Sequence, residues 1–236
     1  MRKLFFSAAF AFVMAASAQA QITLAKWGFE VHVPPSGFTN STVSGLSPDV
    51  GSGTASSFHA NPATANNSFP GNGSANSLNT DRWTIGDYYQ FQLSTVGYSG
   101  ISLSFDQASL WTGSKKFNLS YSTDGSLFTT FATDYLVLTN SNSANNSGSG
   151  FATSFWNATT LQSAFSLSFD LSSVGSINNA SSVFFRLVSD EIPSGPSDRN
   201  WVDNFTVTAA QVPEPQSLFP LGGLGLLAWN YLRRRK

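Results

Sequence analysis

The chain has no cysteine among its 236 residues, and this absence excludes several kinds of chemistry. Without thiols there is no disulfide, no thiolate metal ligand and no cysteine nucleophile. Histidine is nearly missing too, with His32 and His59 the two imidazoles of the sequence. Serines and aspartates abound, so a Ser-His-Asp triad stays open, but no GxSxG motif supports one. We expect both histidines at the surface or at the edge of the core.

Charged residues are also few, at 11% of the chain, and they are unevenly placed. Two of the 12 Lys and Arg lie near the start and four near the end, which leaves six in residues 21–212 against 12 acidic residues. The net charge of about −6 in this body argues against nucleic acid as a partner, because nucleic acid needs a basic face. Glu30 and Glu191 are the body's two glutamates, and no spacing selects an aspartate pair for glycoside hydrolysis. We expect a protein that is not an enzyme.

Good helix formers are scarce, and no window of the body has a 3.6-residue apolar stripe. Apolar residues instead alternate with polar ones, which indicates strands. An Asp-Gly pair between two such runs predicts a hairpin turn at 123–126. The predicted strands are Ile22–Val33, Tyr89–Leu93, Ile101–Phe105, Phe117–Tyr121, Leu127–Phe131, Tyr135–Leu138, Phe165–Phe169, Val183–Val188 and Trp201–Val207. They predict an all-β fold over residues 21–211, an antiparallel two-sheet β-sandwich that is jelly-roll-like.

Two long polar segments interrupt the pattern. Residues 36–80 are rich in Gly, Asn, Ser, Ala and Thr, and we expect a surface excursion there with one or two short edge strands. Residues 139–150 predict a second polar loop. The pentapeptide SLSFD occurs at 102–106 and again at 166–170, which is weak evidence of an internal duplication.

The first 20 residues predict a secretion signal. Two cations precede an apolar stretch over residues 4–16, and Ala18 and Ala20 give the small-x-small pattern of a cleavage site. We expect a signal helix that is removed, so that the exported chain begins at Gln21.

Residues 212–236 predict a C-terminal sorting signal that also anchors the chain in a membrane. The stretch 217–232 has no charged side chain, and as a helix it would measure about 24 Å, short of the ~30 Å hydrocarbon core. Trp229 and Tyr231 suit the headgroup level, and four cations that would remain cytoplasmic follow: Arg233, Arg234, Arg235 and Lys236. We expect a short transmembrane helix in the inner membrane, with the body facing the periplasm.

This tail resembles a PEP-CTERM sorting signal, with Val212, Pro213, Glu214 and Pro215 as the motif, then the short span, then the Arg-rich end. The resemblance implies a Gram-negative setting, export machinery and an exosortase as partners, transient residence in the inner membrane, and a destination in the cell envelope or outside the cell. The alternative is an ordinary membrane anchor that is never processed.

The body resembles the secreted β-sandwich domains that often precede such tails, in WGFE, YSTDGSLF, FRL and WVDNFTV. Those domains look like the jelly rolls of carbohydrate-binding modules, in which a structural calcium often uses the first and last strands. The resemblance makes Glu30 and Asp203 candidate calcium ligands, although Asp203 could instead cap a neighbour or pair with Arg186 or Arg199. No other cofactor is expected.

Tryptophans are the remaining candidates for ligand binding, since their flat rings stack on sugar faces. Trp111 and Trp156 stand near polar loops and are the candidates for sugar stacking, whereas Trp27 and Trp201 fit the buried face. Three functions stay open: a non-catalytic envelope or matrix protein associated with extracellular polysaccharide, a carbohydrate-binding module with a defined sugar site, and a hydrolase. Exposed tryptophans in a row on one sheet would favour the second, and a cleft with two close carboxylates would favour the third.

Overall fold

A computed structural model of the chain describes residues 20–35, 38–39, 42–140, 155–193, 195 and 199–213, and within these the protein is all-β. Besides the strands, the described residues contain two 3₁₀ helices of one turn each, Ser163–Phe165 and Gly175–Ile177. The strands are β1 (Gln21–Trp27), β2 (Phe38–Thr39), β3 (Thr42–Leu46), β4 (Val50–Gly51), β5 (Thr54–Phe58), β6 (Ala65–Phe69), β7 (Ser77–Thr80), β8 (Tyr88–Leu93), β9 (Tyr98–Ser109), β10 (Lys116–Ser122), β11 (Thr129–Leu136), β12 (Leu138–Thr139), β13 (Ser166–Asp170), β14 (Val183–Ser189) and β15 (Asn200–Gln211).

The strands form two sheets that pack as a β-sandwich. Sheet A has the order β12-β9-β15-β7-β6-β2, with β1 also pairing with β15 and β4, and β13 with β9. Sheet B has the order β11-β10-β14-β8-β5-β3. The pairings are antiparallel apart from β12 with β9. The predicted antiparallel two-sheet sandwich is therefore confirmed.

The core lies between the sheets and is rich in aromatic rings. Phe91 of sheet B stacks on Phe205 of sheet A with ring centroids 3.6 Å apart, and Trp27 meets both rings edge-on at 5.3 and 6.0 Å. All three side chains are fully buried. Burial of one such side chain contributes about 2–3 kcal/mol.

The predicted hairpin is confirmed, with β10 and β11 paired through the turn at 123–126. The Asp124 carboxylate accepts hydrogen bonds from the backbone N–H groups of Ser126 and Leu127, both at 2.8 Å. Gly125 has φ of +73°, a conformation that side chains with a Cβ rarely adopt. The sequence placed this turn correctly because both residues have a specific backbone role.

The prediction of a surface excursion over 36–80 was wrong. Six strands lie there, and β5 pairs with both β3 and β8 inside sheet B. Ala55 and Leu78 are fully buried, and Ser57 donates to the Asn66 side chain within the core at 2.8 Å. These strands alternate short polar and small apolar residues, a pattern that is hard to distinguish from a loop.

The first strand is shorter than predicted, ending at Trp27 rather than Val33. The Asp49 carboxylate accepts from the backbone N–H of Gly28 at 2.8 Å and of Val31 at 2.9 Å. Phe29 between them has φ of +58° and is buried. The apolar alternation continues through this segment, but the backbone turns around the Asp49 side chain instead of pairing.

The two SLSFD copies pair with each other. Ser166 of β13 lies opposite Asp106 of β9, and Asp170 lies opposite Ser102, so the copies are antiparallel and in register. They are neighbours in sheet A and not equivalent strands of two repeated halves.

The apolar stretch of the predicted secretion signal and the predicted transmembrane helix lie outside the described residues. Ala18, Glu214, Pro215 and the four terminal cations lie outside them as well. In the part of the chain that is described, no helix is long and apolar enough to cross a membrane. Of the sorting motif, Val212 and Pro213 are described, and the Val212 N–H donates to the Gly97 carbonyl directly after β15. Ala20 is exposed immediately before β1, and the predicted loop at 139–150 is described only at its first two residues.

Candidate functional site

The outer surface of sheet B presents an aromatic and polar face. Strand alternation buries Tyr89, Phe91 and Phe185 and turns their neighbours outward, where they are half-buried or exposed. We call the outward set the sheet-B face. It consists of Thr54, Ser56 and Phe58 on β5, Tyr88, Gln90 and Gln92 on β8, and Phe184, Arg186 and Val188 on β14.

Strand register brings planar groups of this face into contact. Phe58 lies opposite Tyr88, and their rings stack with centroids 5.3 Å apart. The Arg186 guanidinium carbon lies 3.8 Å from the Tyr88 ring centroid and 3.7 Å from that of Phe128, which precedes β11. These four groups form a continuous row, here called the aromatic row, across β5, β8 and β14 to the β10–β11 connection.

Carboxamides flank the aromatic row. Arg186 Nε donates to Gln90 Oε1 at 2.8 Å, and Gln92 Nε2 donates to Ser182 Oγ at 3.1 Å. Because a carboxamide has both donor and acceptor groups, each fixed glutamine keeps further capacity for a ligand hydroxyl. Partial burial lowers the pKa of Arg186 from its ordinary value, which the Tyr88 hydroxyl partly opposes.

Part of the outer surface of sheet A is covered instead. Trp156 is 2% exposed, packs against Trp201 and Phe165, and donates from Nε1 to the Pro70 carbonyl at 2.7 Å. The prediction that Trp156 stacks on sugar is therefore wrong, because no ring face is open. Trp201 is buried as predicted, but in this second cluster of sheet A and not in the core between the sheets.

Asp203 binds the 72–76 segment to sheet A through hydrogen bonds. Its Oδ2 accepts from Ser74 Oγ at 2.6 Å and from the Asn72 N–H at 2.8 Å, and its Oδ1 accepts from the Asn204 N–H at 2.7 Å. The side chain is fully buried, and this burial, together with nearby Asp106, raises the pKa of Asp203 to about 7. These partners take the place of the arginine pairing considered from the sequence.

Glu30 contacts the same segment from another side. It is exposed, lies beyond the end of β1, and accepts from the Asn76 N–H at 2.7 Å. Glu30 and Asp203 thus both bind donors of residues 72–76. Within the described ranges no three His, Asp or Glu side chains are grouped to hold a metal ion. The calcium assignment stays a prediction from the sequence.

A groove of about 450 Å³ opens on sheet A beside Asp203, lined by Lys26, Asn72, Gly73, Ser104, Phe105, Asp106, Leu161, Ser166, Asn204 and Thr206. Asn204 Nδ2 bridges two carboxylates, donating to Asp106 at 2.9 Å and to Asp203 at 3.2 Å. A hydrolase would need two carboxylates open to a substrate. Asp106 and Asp203 are 3% and 0% exposed, so this pair does not meet that requirement.

His32 is exposed, but the expectation for His59 was wrong. His59 is 1% exposed, with Nδ1 3.1 Å from Asp87 Oδ2 and its ring edge-on to Trp83 at 4.5 Å. Asp87 also accepts from the backbone N–H groups of Ala60 and Thr84. His59 Nε2 has no hydrogen-bond partner in the described part of the chain, so this pair does not continue to a serine.

Trp111 is 68% exposed and lies in the connection between β9 and β10. It is the one exposed tryptophan among those described, so there is no row of exposed tryptophans. Sequence reasoning missed Phe58, Tyr88 and Phe128 because it searched for tryptophan. A signal existed: in YYQFQL, Tyr88 places a large ring on the polar side of an alternating strand.

No family model and no curated protein matches the chain. Similar folds occur among solved structures. The CBM22-1 xylan-binding domain of Paenibacillus barcinonensis Xyn10C is 14% identical with a TM-score of 0.41, over 84% of this chain and all of that one. The K2 cleaved adhesin domain of Lys-gingipain is 12% identical with a TM-score of 0.39, over 82% of this chain and 99% of that one. TmCBM61, solved with β-1,4-galactotriose, is 10% identical with a TM-score of 0.36, over 76% and 92%. At these values the likenesses do not bear on what this chain binds.

Proposed function

We propose that the body is a non-catalytic, jelly-roll-like carbohydrate-binding module that binds a polysaccharide on the sheet-B face. The observation that carries this proposal is the aromatic row with its flanking carboxamides on the open side of a sheet. Sheet A, by contrast, carries a covering cluster on its outer surface.

A sugar chain suits such a face chemically. Pyranose rings have apolar C–H surfaces that pack on aromatic rings, and a rim of hydroxyls that need hydrogen-bond partners. The Phe58 ring, which is 40% exposed, and the edge of Tyr88 supply the apolar area, and Gln90 and Gln92 supply donors and acceptors beside it. The row crosses β5, β8 and β14, two strand spacings or about 10 Å, which is long enough for more than one sugar ring.

Affinity electrophoresis of the full chain tests this proposal. Gels would contain xylan, galactan, glucomannan, alginate or polygalacturonate, with a gel lacking polymer as reference. We expect at least one polymer to retard the wild type, Tyr88→Ala to weaken the retardation about tenfold, and Ser104→Ala in the sheet A groove to leave it unchanged. If no polymer retards the wild type, or if Ser104→Ala weakens retardation while Tyr88→Ala does not, the proposal fails.

For residues 212–236 the proposal is a sorting role, in which an exosortase processes the tail and releases the body to the cell envelope or the extracellular matrix. What supports it is the order of parts: the Val212–Pro215 motif, an uncharged span and a cationic end. Intact mass of the protein from envelope and medium of its native cells tests it. A mass ending near Pro213–Gln216 is expected, and a mass that retains the Arg-rich end contradicts processing.

A further inference from the structure

Arg186 lies on β14, a central strand of sheet B. It lies opposite Gln90 of β8 and opposite Ser120 of β10, so it has strands on both sides. The rings of Tyr88 and Phe128 pack on its guanidinium, and Gln90 Oε1 accepts from its Nε. These contacts hold the guanidinium in one orientation without neutralising its charge.

No carboxylate neutralises Arg186 within the described residues. The ion pairs found there are His59 with Asp87 and Arg82 with Asp81. The outward residues of β5, β8 and β14 include no Asp or Glu. Asp124, in the turn between β10 and β11, accepts from the N–H groups of its own turn and forms no ion pair with Arg186. An arginine without an acidic partner is unusual in this body, which has more acidic than basic residues. A half-buried charge is ordinarily stabilised by a partner of opposite charge.

The geometry of the guanidinium indicates what that partner would be. The aromatic rings cover its plane, and Nε is bonded to Gln90, so the two Nη groups remain for a ligand that approaches along the edge. Two N–H groups side by side match the two oxygens of a carboxylate. Neutral sugars have hydroxyls but no planar pair of acceptors.

We infer that the polysaccharide bound on the sheet-B face is acidic, a polyuronate whose ring carboxylate pairs with the Arg186 fork while the sugar ring packs on the exposed Phe58 ring and on the edge of Tyr88. This inference rests on the proposed function and deepens it by naming the class of ligand. Arg186 is then the residue that determines specificity, and the aromatic row supplies contact area that any glycan could use.

The direct test compares one polymer in two charge states. The full chain is titrated with sodium polygalacturonate and with fully methyl-esterified polygalacturonate, and with alginate and its propylene glycol ester, by calorimetry. For at least one pair, the acid form should bind roughly tenfold or more tightly than its ester, the effect expected of a charge-assisted bidentate contact. Dextran sulfate, which bears anions of another shape, should bind more weakly than the preferred polyuronate.

Arg186 variants assign the effect to this side chain. In Arg186→Gln the ratio of the affinity for the acid polymer to that for its ester should fall to about one. Arg186→Lys keeps the charge without the fork and should recover only part of the preference. Thermal unfolding of both variants shows whether they fold, and the comparison of acid with ester in the wild type does not depend on any variant.

The outcomes separate the two proposals. Equal binding of acid and ester overturns the acidic ligand but leaves carbohydrate binding in place. Dextran sulfate binding as tightly as polyuronate, with loss in Arg186→Gln, overturns the carboxylate and indicates a general anion site. Absence of binding to acidic, esterified and neutral polymers alike overturns the proposed function itself.

Discussion

Both outer surfaces of this sandwich carry aromatic side chains, but those on sheet A are buried whereas those on sheet B are partly exposed. On sheet A, aromatic side chains are buried under residues 155–165, and Trp156 bonds the segment at 70. On sheet B, Phe58 is 40% exposed and its neighbour Tyr88 is half-buried with no covering segment among the described residues. An outward aromatic ring is therefore structural where a chain segment covers it, and available to a ligand where none does.

The same contrast applies to charge. The acidic Asp203 on sheet A is enclosed by donors from the 72–76 segment, so its charge serves that attachment. The cationic Arg186 on sheet B has aromatic and amide neighbours that orient it and leave its charge for another molecule. Substitutions on the two surfaces should accordingly separate stability from binding.

The largest effect is expected on the covered surface. Trp156→Ala removes a buried ring and its hydrogen bond to the Pro70 carbonyl, so the free energy of unfolding should fall by about 3–5 kcal/mol. Trp111→Ala is the matched control, because that ring is 68% exposed, and its effect should stay within about 0.5 kcal/mol. Urea denaturation measures both. Equal effects would mean that Trp156 is not a structural cover.

The buried Asp203 should make stability depend on pH. Its folded pKa, about 7, is raised above the ordinary value of 3.8, so its stabilising contribution is present below pH 4 and is lost as pH rises towards 7. The free energy of unfolding of the wild type minus that of Asp203→Asn should fall across this window, by on the order of 3 kcal/mol.

Asp170 provides a control of opposite sign. The Ser172 N–H lowers the pKa of Asp170, so its contribution is present above the unfolded pKa and is lost as pH falls through the folded one. The same difference for Asp170→Asn should therefore rise with pH. If the difference in free energy of unfolding between the wild type and Asp203→Asn did not change between pH 4 and 7, the raised pKa of Asp203 would be contradicted.

A smaller effect on stability, but a loss of binding, is expected on the open surface. Tyr88→Ala removes the ring between Phe58 and Arg186, so polysaccharide affinity should fall about tenfold, equivalent to about 1.4 kcal/mol. Tyr88→Phe keeps the ring and should keep most of the affinity. Calorimetric titration measures both, and equal loss in the two variants would mean that the hydroxyl matters rather than the ring.

The smallest effect concerns the turn beside the sheet-B face. A Cβ on Gly125 would lie 3.0 Å from Phe184 Cζ, at a backbone φ of +73°. Gly125→Ala should lower the free energy of unfolding by about 1 kcal/mol, because the residue must adopt a left-handed conformation. Urea denaturation measures this loss, and Gly175→Ala is the control because nothing lies near the added carbon there. Equal losses of stability in the two variants would contradict backbone strain at Gly125.

The fold was predictable wherever large apolar residues alternate, as in β8 and β14, and wherever a turn has specific chemistry, as at Asp124 and Gly125. It was not predictable in β5 (TASSF) or β7 (SLNT), because small and polar residues predominate in both strands and tertiary packing decides their burial. Trp27 and Trp201 were correctly expected to be buried, because both lie in alternating strands.

The candidate site was less predictable for a physical reason. Whether an outward ring is open depends on which distant segment covers it, and sequence neighbours do not show this. Trp156 stands among polar residues and is nevertheless buried, whereas Phe58 and Tyr88 stand among equally polar residues and are partly open. In the sequence, β11, β12, β13 and the start of β14 separate Phe128 from Arg186, so only the register of sheet B brings the two together.

Mapping the bound surface tests the central claim most directly. Amide chemical shifts of the ¹⁵N-labelled full chain would be followed during titration with sodium polygalacturonate and alginate oligomers. We expect the largest changes in residues 54–58, 88–92 and 184–188, together with Phe128, and little change in residues 102–106 and 204–206. Changes concentrated in the sheet A groove, with a silent sheet B, would contradict the assignment of the sheet-B face as the binding surface.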